Sequence, residues 1–499
     1  MCGIAAAIGI ANASIFASLF GALGHRGPDQ SGIVEAGDIR IGMHRLSIVG
    51  AERIGLPLGD DTGRLRLVFN GEIYNHRDLR RAFADYPFQT ETDAEVLFPL
   101  LAREGKAGLK RLRGMFAFVL VDLDSGDFLA ARDPFGIKPL YVAAIDGGLA
   151  FASELKGFAA IGARPEFVPP GHCLGPDGLQ RWYRVPGRFW RPRPPPLRHV
   201  LERAVASHLP PSGPCGVFLS GGLDSSLVAA LAARHRPDIV AYSVVLPGSP
   251  DEGPAAAVAS HLGLRHKVVH ASETEVCAAL PAVIAALESF NPVMVRNAVP
   301  LYLLAREAAK DCKVVLGGDG ADELFAGYDY LATLPRRHWP QAMDHGISNL
   351  HRTELQRVDR MTMAHGLELR VPFLDQEVAE AAINLPLTAK TRIVGGVAVT
   401  KWALREAAEG VLPPSIQWRR KLPLVEGSGF AGLDLPVPAT QTRPSSEGWP
   451  MDDESRAFFP LWRAAFPTVS PDHDIWRDAG QYHKFKGYHG RPLLDLFRR

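Results

Sequence analysis

Residues 2–10 are almost uninterruptedly apolar, the pattern of a strand buried on both faces. Residues 65–69 alternate apolar and basic positions up to Val68, as a strand with one covered face does. Residues 115–122 and 149–152 are two more strands by the same criterion. Between them, apolar residues recur every three or four positions over 15–23, 76–84 and 94–104, which predicts helices. No tandem repeat is visible, and the mixture predicts an α+β layered domain.

The run Phe189-Trp190-Arg191-Pro192-Arg193-Pro194-Pro195-Pro196 breaks this pattern, because consecutive prolines continue neither a helix nor an interior strand. We place a stiff linker at 189–196, separating a first domain at 2–188 from a second at 197–499. Beyond it the order changes: helix at 197–208, strand at 216–219, a Gly-rich turn, helix at 224–235, strand at 239–246, helix at 255–262, strand at 267–270, helix at 299–309 and strand at 313–316. Strand and helix in alternation predict a parallel sheet covered by helices, an α/β fold. After Leu424 the chain is rich in Pro, Ser and Gly, and 483–499 reads as a basic, aromatic tail.

Charge narrows the function. Lys plus Arg number 55 and Asp plus Glu 54, so no strong field favours a nucleic acid or an anionic membrane. The five cysteines (Cys2, Cys173, Cys215, Cys277, Cys312) form no CxxC pair, which argues against a zinc site or a disulfide framework and fits a reducing compartment. No apolar run is long enough to span a bilayer, and none follows a basic leader. The expectation is a cytoplasmic enzyme.

Three places carry candidate chemistry. Removal of Met1 would leave Cys2 with a free α-amine, joining a strong nucleophile to a base of pKa roughly 8. Leu219-Ser220-Gly221-Gly222-Leu223-Asp224-Ser225-Ser226 joins a strand to a helix start, whose free N–H groups and hydroxyls suit phosphates. The string is not a Walker loop, and Asp224 beside a phosphate implies Mg²⁺. A second acidic loop, Gly317-Gly318-Asp319-Gly320-Ala321-Asp322-Glu323-Leu324, follows strand 313–316. Loops at the carboxyl ends of parallel strands meet over one crevice, which would bring Asp319 and Asp322 towards Asp224.

Several strings also match known families. Met1-Cys2-Gly3-Ile4, His25-Arg26-Gly27-Pro28-Asp29, His44-Arg45-Leu46-Ser47-Ile48, Asn70-Gly71-Glu72-Ile73-Tyr74-Asn75 and the stretch from Asp133 to Tyr141 resemble the N-terminal-nucleophile glutamine amidotransferase domain. The SGGLDSS and GGDGADELFAGY strings resemble the ATP-pyrophosphatase domain. In this order they resemble glutamine-hydrolysing asparagine synthetases of the bacterial type, over about residues 2–429.

The resemblance implies a four-layer αββα glutaminase domain followed by a nucleotide-binding α/β domain. It implies that Cys2 attacks the glutamine amide with its own α-amine as base, and that the Asn70 side chain and Gly71 N–H form the oxyanion hole. Arg45, Ile48, Asn70, Glu72 and Asp93 would bind glutamine. Ser220, Gly221, Gly222, Asp224, Ser225 and Ser226 would contact ATP phosphates, with Phe218, Val244, Gly317 and Gly318 beside the nucleotide. Asp224 and Asp322 would hold Mg²⁺, Asp319 would act as a base, and Lys421 would stabilise the charged transition state. Glu368, Arg370 and Asp375 would be structural.

The implied reaction turns L-aspartate, ATP and L-glutamine into L-asparagine, AMP, pyrophosphate and L-glutamate through an acyl-adenylate. A water-free route would keep the ammonia neutral. The implied partners are these small molecules and, as an option, a second copy of the chain. Asp319 stands where the best-studied members of that family carry Glu, Leu56 where many carry Gln, and 291–298 departs from the familiar pattern near the expected acceptor pocket. The alternatives are amidation of another carboxylic acid, or a glutamine- or nucleotide-sensing protein without catalysis.

Overall fold

The computed structural model of the chain describes residues 2–50, 53–184, 196–433 and 453–469. These residues form two compact units. One comprises 2–184 with Met363–Glu368 and 466–469; the other comprises 196–362, 369–433 and 453–465. Residues 189–195 of the predicted linker and the 483–499 tail lie outside the described residues.

The first unit holds two six-stranded sheets. In spatial order, one contains β10 (Glu166–Phe167), β8 (Tyr141–Ile145), β9 (Gly148–Ala152), β1 (Cys2–Ile8), β3 (Ile39–Arg45) and β2 (Gln30–Ala36). The other contains β12 (Gly178–Arg181), β11 (His172–Gly175), β7 (Phe128–Arg132), β6 (Gly114–Asp122), β5 (Leu65–Ile73) and β4 (Leu58–Gly59).

The two-residue period of β6 sorts its side chains between two cores. Ala117, Val119 and Val121 join Ile4, Ala6 and Ile41 between the sheets, while Phe116 and Phe118 face the other way. Those phenylalanines pack with Leu79 of helix α2 (His76–Ala82) and with Leu97 and Leu100 of α3 (Leu97–Glu104). Helices α1 (Ala13–Gly21) and α4 (Lys156–Ala160) cover the outer face of the first sheet, which completes four αββα layers. Strand β1 is buried along its whole length because it lies inside this stack, as its continuous apolar run predicts.

The string from Asp133 to Tyr141 is a buried loop tied down by its own backbone. Asp133 Oδ1 accepts from the N–H groups of Phe135 and Ile137, and Oδ2 from those of Lys138 and Phe116. The Arg132 guanidinium donates to the carbonyls of Gly136, Lys138 and Val168. Burial pushes the Asp133 carboxyl up, and the four amides work against it.

The second unit is built on a five-stranded sheet in the order β15 (Arg265–His270), β14 (Val240–Val245), β13 (Cys215–Phe218), β16 (Val314–Leu316), β17 (Glu368–Arg370). Strands β13 to β16 run parallel. Helices α5 (Leu197–His208), α6 (Leu223–His235), α7 (Glu252–Leu262), α8 (Glu273–Leu287) and α9 (Pro292–Ala308) follow or join the strands. After β16 come α10 (Ala321–Phe325), α11 (Trp339–Asn349) and α12 (Glu354–Met363). Helix α9 starts seven residues earlier than its apolar spacing predicts. Asn291 caps it by accepting from Val293 and Met294 N–H, and Pro292 fits the first turn, where no N–H is needed. No single helix among the described residues is long and apolar enough to cross a membrane.

Candidate active sites

In the first unit, the register of β1 against β3 sets Cys2 directly opposite Arg45. Asn70, Gly71 and Glu72 are on β5 of the other sheet, so the stacked sheets bring both sets together. The Cys2 backbone N–H donates to Asn70 Oδ1 at 3.0 Å. That nitrogen would become the α-amine on removal of Met1. With Oδ1 engaged, Asn70 Nδ2 is buried and has no hydrogen-bond partner. A buried donor left unpaired costs about 1–3 kcal/mol, so its place beside a nucleophile fits an oxyanion that forms only during reaction. Gly71 is required here: a Cβ would fall 2.0 Å from the Met115 carbonyl oxygen.

Cys2, Arg45, Ile48, Glu72 and Asp93 line one cavity with the backbone of Gly71. Arg45 Nη2 donates to the carbonyls of Val49, at 3.0 Å, and Gly50, leaving a buried cation at the cavity wall. Burial pushes the Asp93 carboxyl up, opposed by the Ile73 N–H at 2.7 Å. An arriving ammonium would favour its charged form. Burial also pushes the Cys2 thiol up, against the Leu46 amide and Arg45. Leu56 lines the same cavity and offers only an apolar contact.

Arg26 and Glu154 hold this site from behind. Arg26 Nε donates to the Cys2 carbonyl at 3.1 Å, and Nη1 pairs with Glu154 Oε1 at 2.5 Å. Glu154 Oε2 also meets Lys156 Nζ at 2.7 Å and His25 Nε2 at 3.1 Å. Arg26 and Glu154 are both buried. Breaking a buried pair from one side typically costs ~3–5 kcal/mol. Glu154→Gln should therefore lower the urea midpoint of unfolding markedly and depress glutamine hydrolysis, as Cys2 loses its backbone anchor. A variant with unchanged midpoint and rate would contradict this role. Arg26 lies inside a string quoted above, but Glu154 is 128 residues away and no spacing connects them.

In the second unit, the SGGLDSS string turns from β13 into α6. Gly221 adopts φ +68°, and a Cβ there would lie 2.4 Å from Ala255 N. Ser220 N–H donates to Ser225 Oγ at 3.2 Å, and Gly222 N–H to Ser220 Oγ at 3.2 Å, so the loop is pre-shaped. Ser220, Gly222, Asp224 and Ser225 line a large cavity with Phe218, Val244, Gly317, Gly318, Asp319 and Asp322. Gly221 and Ser226 do not line it; Ser226 is fully buried on the inner face of α6. Gly221 thus shapes the turn, and Ser226 is not placed to touch a phosphate.

Two lysines meet the carboxylates. Lys401 Nζ bridges Asp224 Oδ2 and Asp322 Oδ1, the latter at 2.6 Å, and Lys421 Nζ reaches Asp322 Oδ2 at 2.8 Å. Burial works against the ionised Asp322, yet Lys401 and Lys421 hold it well below the usual carboxylate range. Lys421 is held above its ordinary value by Asp322 and Asp224 despite burial. Lys401 was not singled out from the sequence. It lies 177 residues from Asp224 and occupies the left-handed region at φ +55°, a costly conformation for a side-chain-bearing residue.

The same cavity contains Glu323, pushed up to about 8 by burial, Glu354 and Asp322, with the Tyr328 hydroxyl donating to its Oε1. Asp319 Oδ1 lies 3.9 Å from Arg357 Nη2, and burial pushes its carboxyl up. Among the described residues no three His, Cys, Asp or Glu side chains gather as a ready-made metal site. Asp224 Oδ1 is buried without a hydrogen-bond partner, so the acidic pair retains an oxygen for a cation whose other ligands would come from a nucleotide.

A thiol-and-amide site on an αββα unit and a phosphate cradle on a parallel-sheet unit define a nitrogen-releasing centre joined to a nucleotide-using one. Residues 1–168 match the glutamine amidotransferase domain family, and residues 196–346 and 332–434 match asparagine synthase. The glutamine-hydrolyzing asparagine synthetase of Triphysaria versicolor is 35% identical over 466 residues, covering 87% of this chain and 79% of that protein. Glutamine-hydrolyzing asparagine synthetase 3 of Arabidopsis thaliana is 35% identical over 466 residues, covering 87% and 80%. A solved glutamine phosphoribosylpyrophosphate amidotransferase from B. subtilis shares 22% identity over 54% of this chain and 65% of its own, with a TM-score of 0.34. The chain belongs to the family of glutamine-hydrolysing asparagine synthetases.

Proposed function

We propose that the chain forms L-asparagine from L-aspartate with ATP and glutamine. The observation that carries this reading is the single cavity holding the Ser220–Ser225 loop, Asp224, Asp322, Lys401 and Lys421, in a chain that also holds the Cys2–Asn70 pair. Cys2 Sγ attacks the glutamine side-chain carbonyl, and Asn70 Nδ2 and Gly71 N–H receive the oxyanion. Ammonia leaves, and water releases glutamate from the thioester.

In the second unit, the β-carboxylate of aspartate attacks the α-phosphorus of ATP and expels pyrophosphate. Ammonia then displaces AMP from the acyl-adenylate. The N–H groups of the loop hold phosphate oxygens, and Lys421 and Lys401 sit where charge builds on the leaving pyrophosphate. Asp224 and Asp322 would hold Mg²⁺, which neutralises phosphate charge when bound. Asp319, on the wall of the same cavity, is suited to take a proton from the attacking ammonia.

The five cysteines are unpaired thiols, which supports a reducing, cytoplasmic setting. The test is mass spectrometry of the products formed from ATP, glutamine and a panel of carboxylic acids. We expect asparagine, AMP and glutamate with aspartate. A different amide, formed while aspartate is ignored, would move the acceptor to another acid, a reading favoured by the apolar Val293, Leu301 and Leu304 on the cavity wall.

A further inference from the structure

Four arginines line the nucleotide cavity, and three of them face a carboxylate. Arg357 stands 3.9 Å from Asp319, Arg419 pairs with Asp251 at 2.7 Å, and Arg420 lies 3.5 Å from Asp329. The fourth, Arg405, is buried, and its guanidinium goes to backbone carbonyls instead. Its Nε donates to Thr400 at 2.9 Å. Its Nη1 donates to Gln417 at 2.6 Å and to Arg419 at 3.2 Å, and its Nη2 to Arg419 again at 3.2 Å. Thr400 immediately precedes Lys401, and Arg419 stands two positions before Lys421. One planar fork thus ties together the two segments whose lysines hold Asp224 and Asp322.

The bracing is tightest around Lys401. Its left-handed φ of +55° persists only where the surroundings over-determine it. The Arg405 N–H donates to the Lys401 carbonyl at 3.0 Å while its Nε holds that of Thr400, so the peptides on both sides of Lys401 are pinned by one residue. From the other segment, Gln417 Nε2 donates to the Arg405 carbonyl at 2.8 Å. Arg419 then fixes that segment to the phosphate loop, through the carbonyls of Ser220 at 3.3 Å and Pro250 at 3.0 Å.

We propose that Arg405 is a positioning residue for the departure of pyrophosphate: by joining the Thr400 and Arg419 carbonyls it sets the spacing of Lys401 and Lys421, so that both ammonium groups meet the phosphates together. Its role runs through the two lysines, whose value depends on being held to within about 0.5 Å. The inference rests on the amide-synthetase reading above, which supplies the leaving pyrophosphate.

The experiment is a double-mutant cycle of Arg405→Lys and Lys421→Ala, read as pyrophosphate release from ATP, L-aspartate and ammonium chloride. Rates are taken per bound ATP, measured by equilibrium dialysis, so a misfolded fraction drops out. Lysine keeps the charge of Arg405 but has no fork to span two segments. A misplacement of about 1 Å costs ~100-fold, so kcat should fall by about that factor in Arg405→Lys. The KM for ATP should stay near wild type, because the Ser220–Ser225 loop keeps its own hydrogen bonds. In the Lys421→Ala background the same change should cost at least ~10-fold less, since one of the two groups that Arg405 positions is gone. Gln417→Ala is a milder second variant. It should lower kcat less, again at unchanged KM, and again with a smaller effect once Lys421 is absent.

Losses that simply multiply in the double variant overturn the proposal and leave Arg405 a structural residue. So does a raised KM at unchanged kcat. If Arg405→Lys does not fold, Gln417→Ala decides alone, and an unchanged kcat there overturns the proposal. A wild type that releases no pyrophosphate with any carboxylic acid brings down the synthetase reading itself, and this inference with it.

Discussion

Cys2→Ala abolishes asparagine formation from glutamine and leaves formation from ammonium salts intact. The loss is large because the thiol supplies the bond-forming electrons. Removing such a nucleophile leaves only binding and oxyanion stabilisation, and typical losses reach ~10⁶-fold in kcat. Among the described residues no other cysteine lines the glutamine cavity, so no second thiol stands in for Cys2. The substitution removes one sulfur atom from the first residue of β1 and leaves the hydrogen bond from its backbone nitrogen to Asn70 in place. The site stays shaped and the second unit is untouched. The check is amide formation with glutamine and, separately, with ammonium chloride near pH 8, where more of the donor is neutral. Loss of both activities would mean that the two chemistries are not separable, contrary to their placement on separate units. Residual glutamine-driven synthesis at wild-type rate would remove Cys2 from the mechanism.

Where the sequence was informative and where it was silent divides along one physical line. Local signals worked. A continuous apolar run identified β1, a Gly-rich turn identified the β13–α6 junction, and alternating strand and helix predicted the parallel sheet. Each of these features is set by near neighbours in the chain. Boundaries were less legible. The strand predicted at 65–69 continues to Ile73, because Asn70, Gly71 and Glu72 pair with β6 although their side chains are polar. The site partners that depend on tertiary assembly were not legible. Glu154 reaches Arg26, and Lys401 reaches Asp224, across long stretches of chain, and neither lies in a distinctive local pattern. Ser226 was misplaced for the opposite reason. Its string suggests a phosphate contact, but helical periodicity turns its side chain into the packed face of α6. Arg357 and Glu354 belong to α12, where buried charges at Asp359 and Arg360 interrupt the apolar positions Leu355, Val358 and Met361.

Asp322→Asn should stop adenylation while glutamine hydrolysis continues. Asp322 accepts from Lys401 and from Lys421, and without its charge Lys401 keeps only Asp224 while Lys421 loses its carboxylate partner. Both lysines would then be misplaced relative to the phosphates, and the acidic pair would lose half its charge for Mg²⁺. Losing one such electrostatic contact costs ~10²–10³-fold in rate, and here several change at once.

The same substitution has a signature in stability. Asp322 has a folded-state pKa depressed below the ordinary carboxylate value of roughly 3.9, so its stabilising contribution is present above that pH and is lost as pH falls towards the folded value. Urea unfolding between pH 6 and pH 3 should therefore show the wild type losing more stability than Asp322→Asn, although the variant is less stable at pH 6. Equal acid sensitivity in the two proteins would mean that Lys401 and Lys421 do not hold Asp322 ionised. Pyrophosphate release at the wild-type rate would show that the acidic pair is not needed for the chemistry.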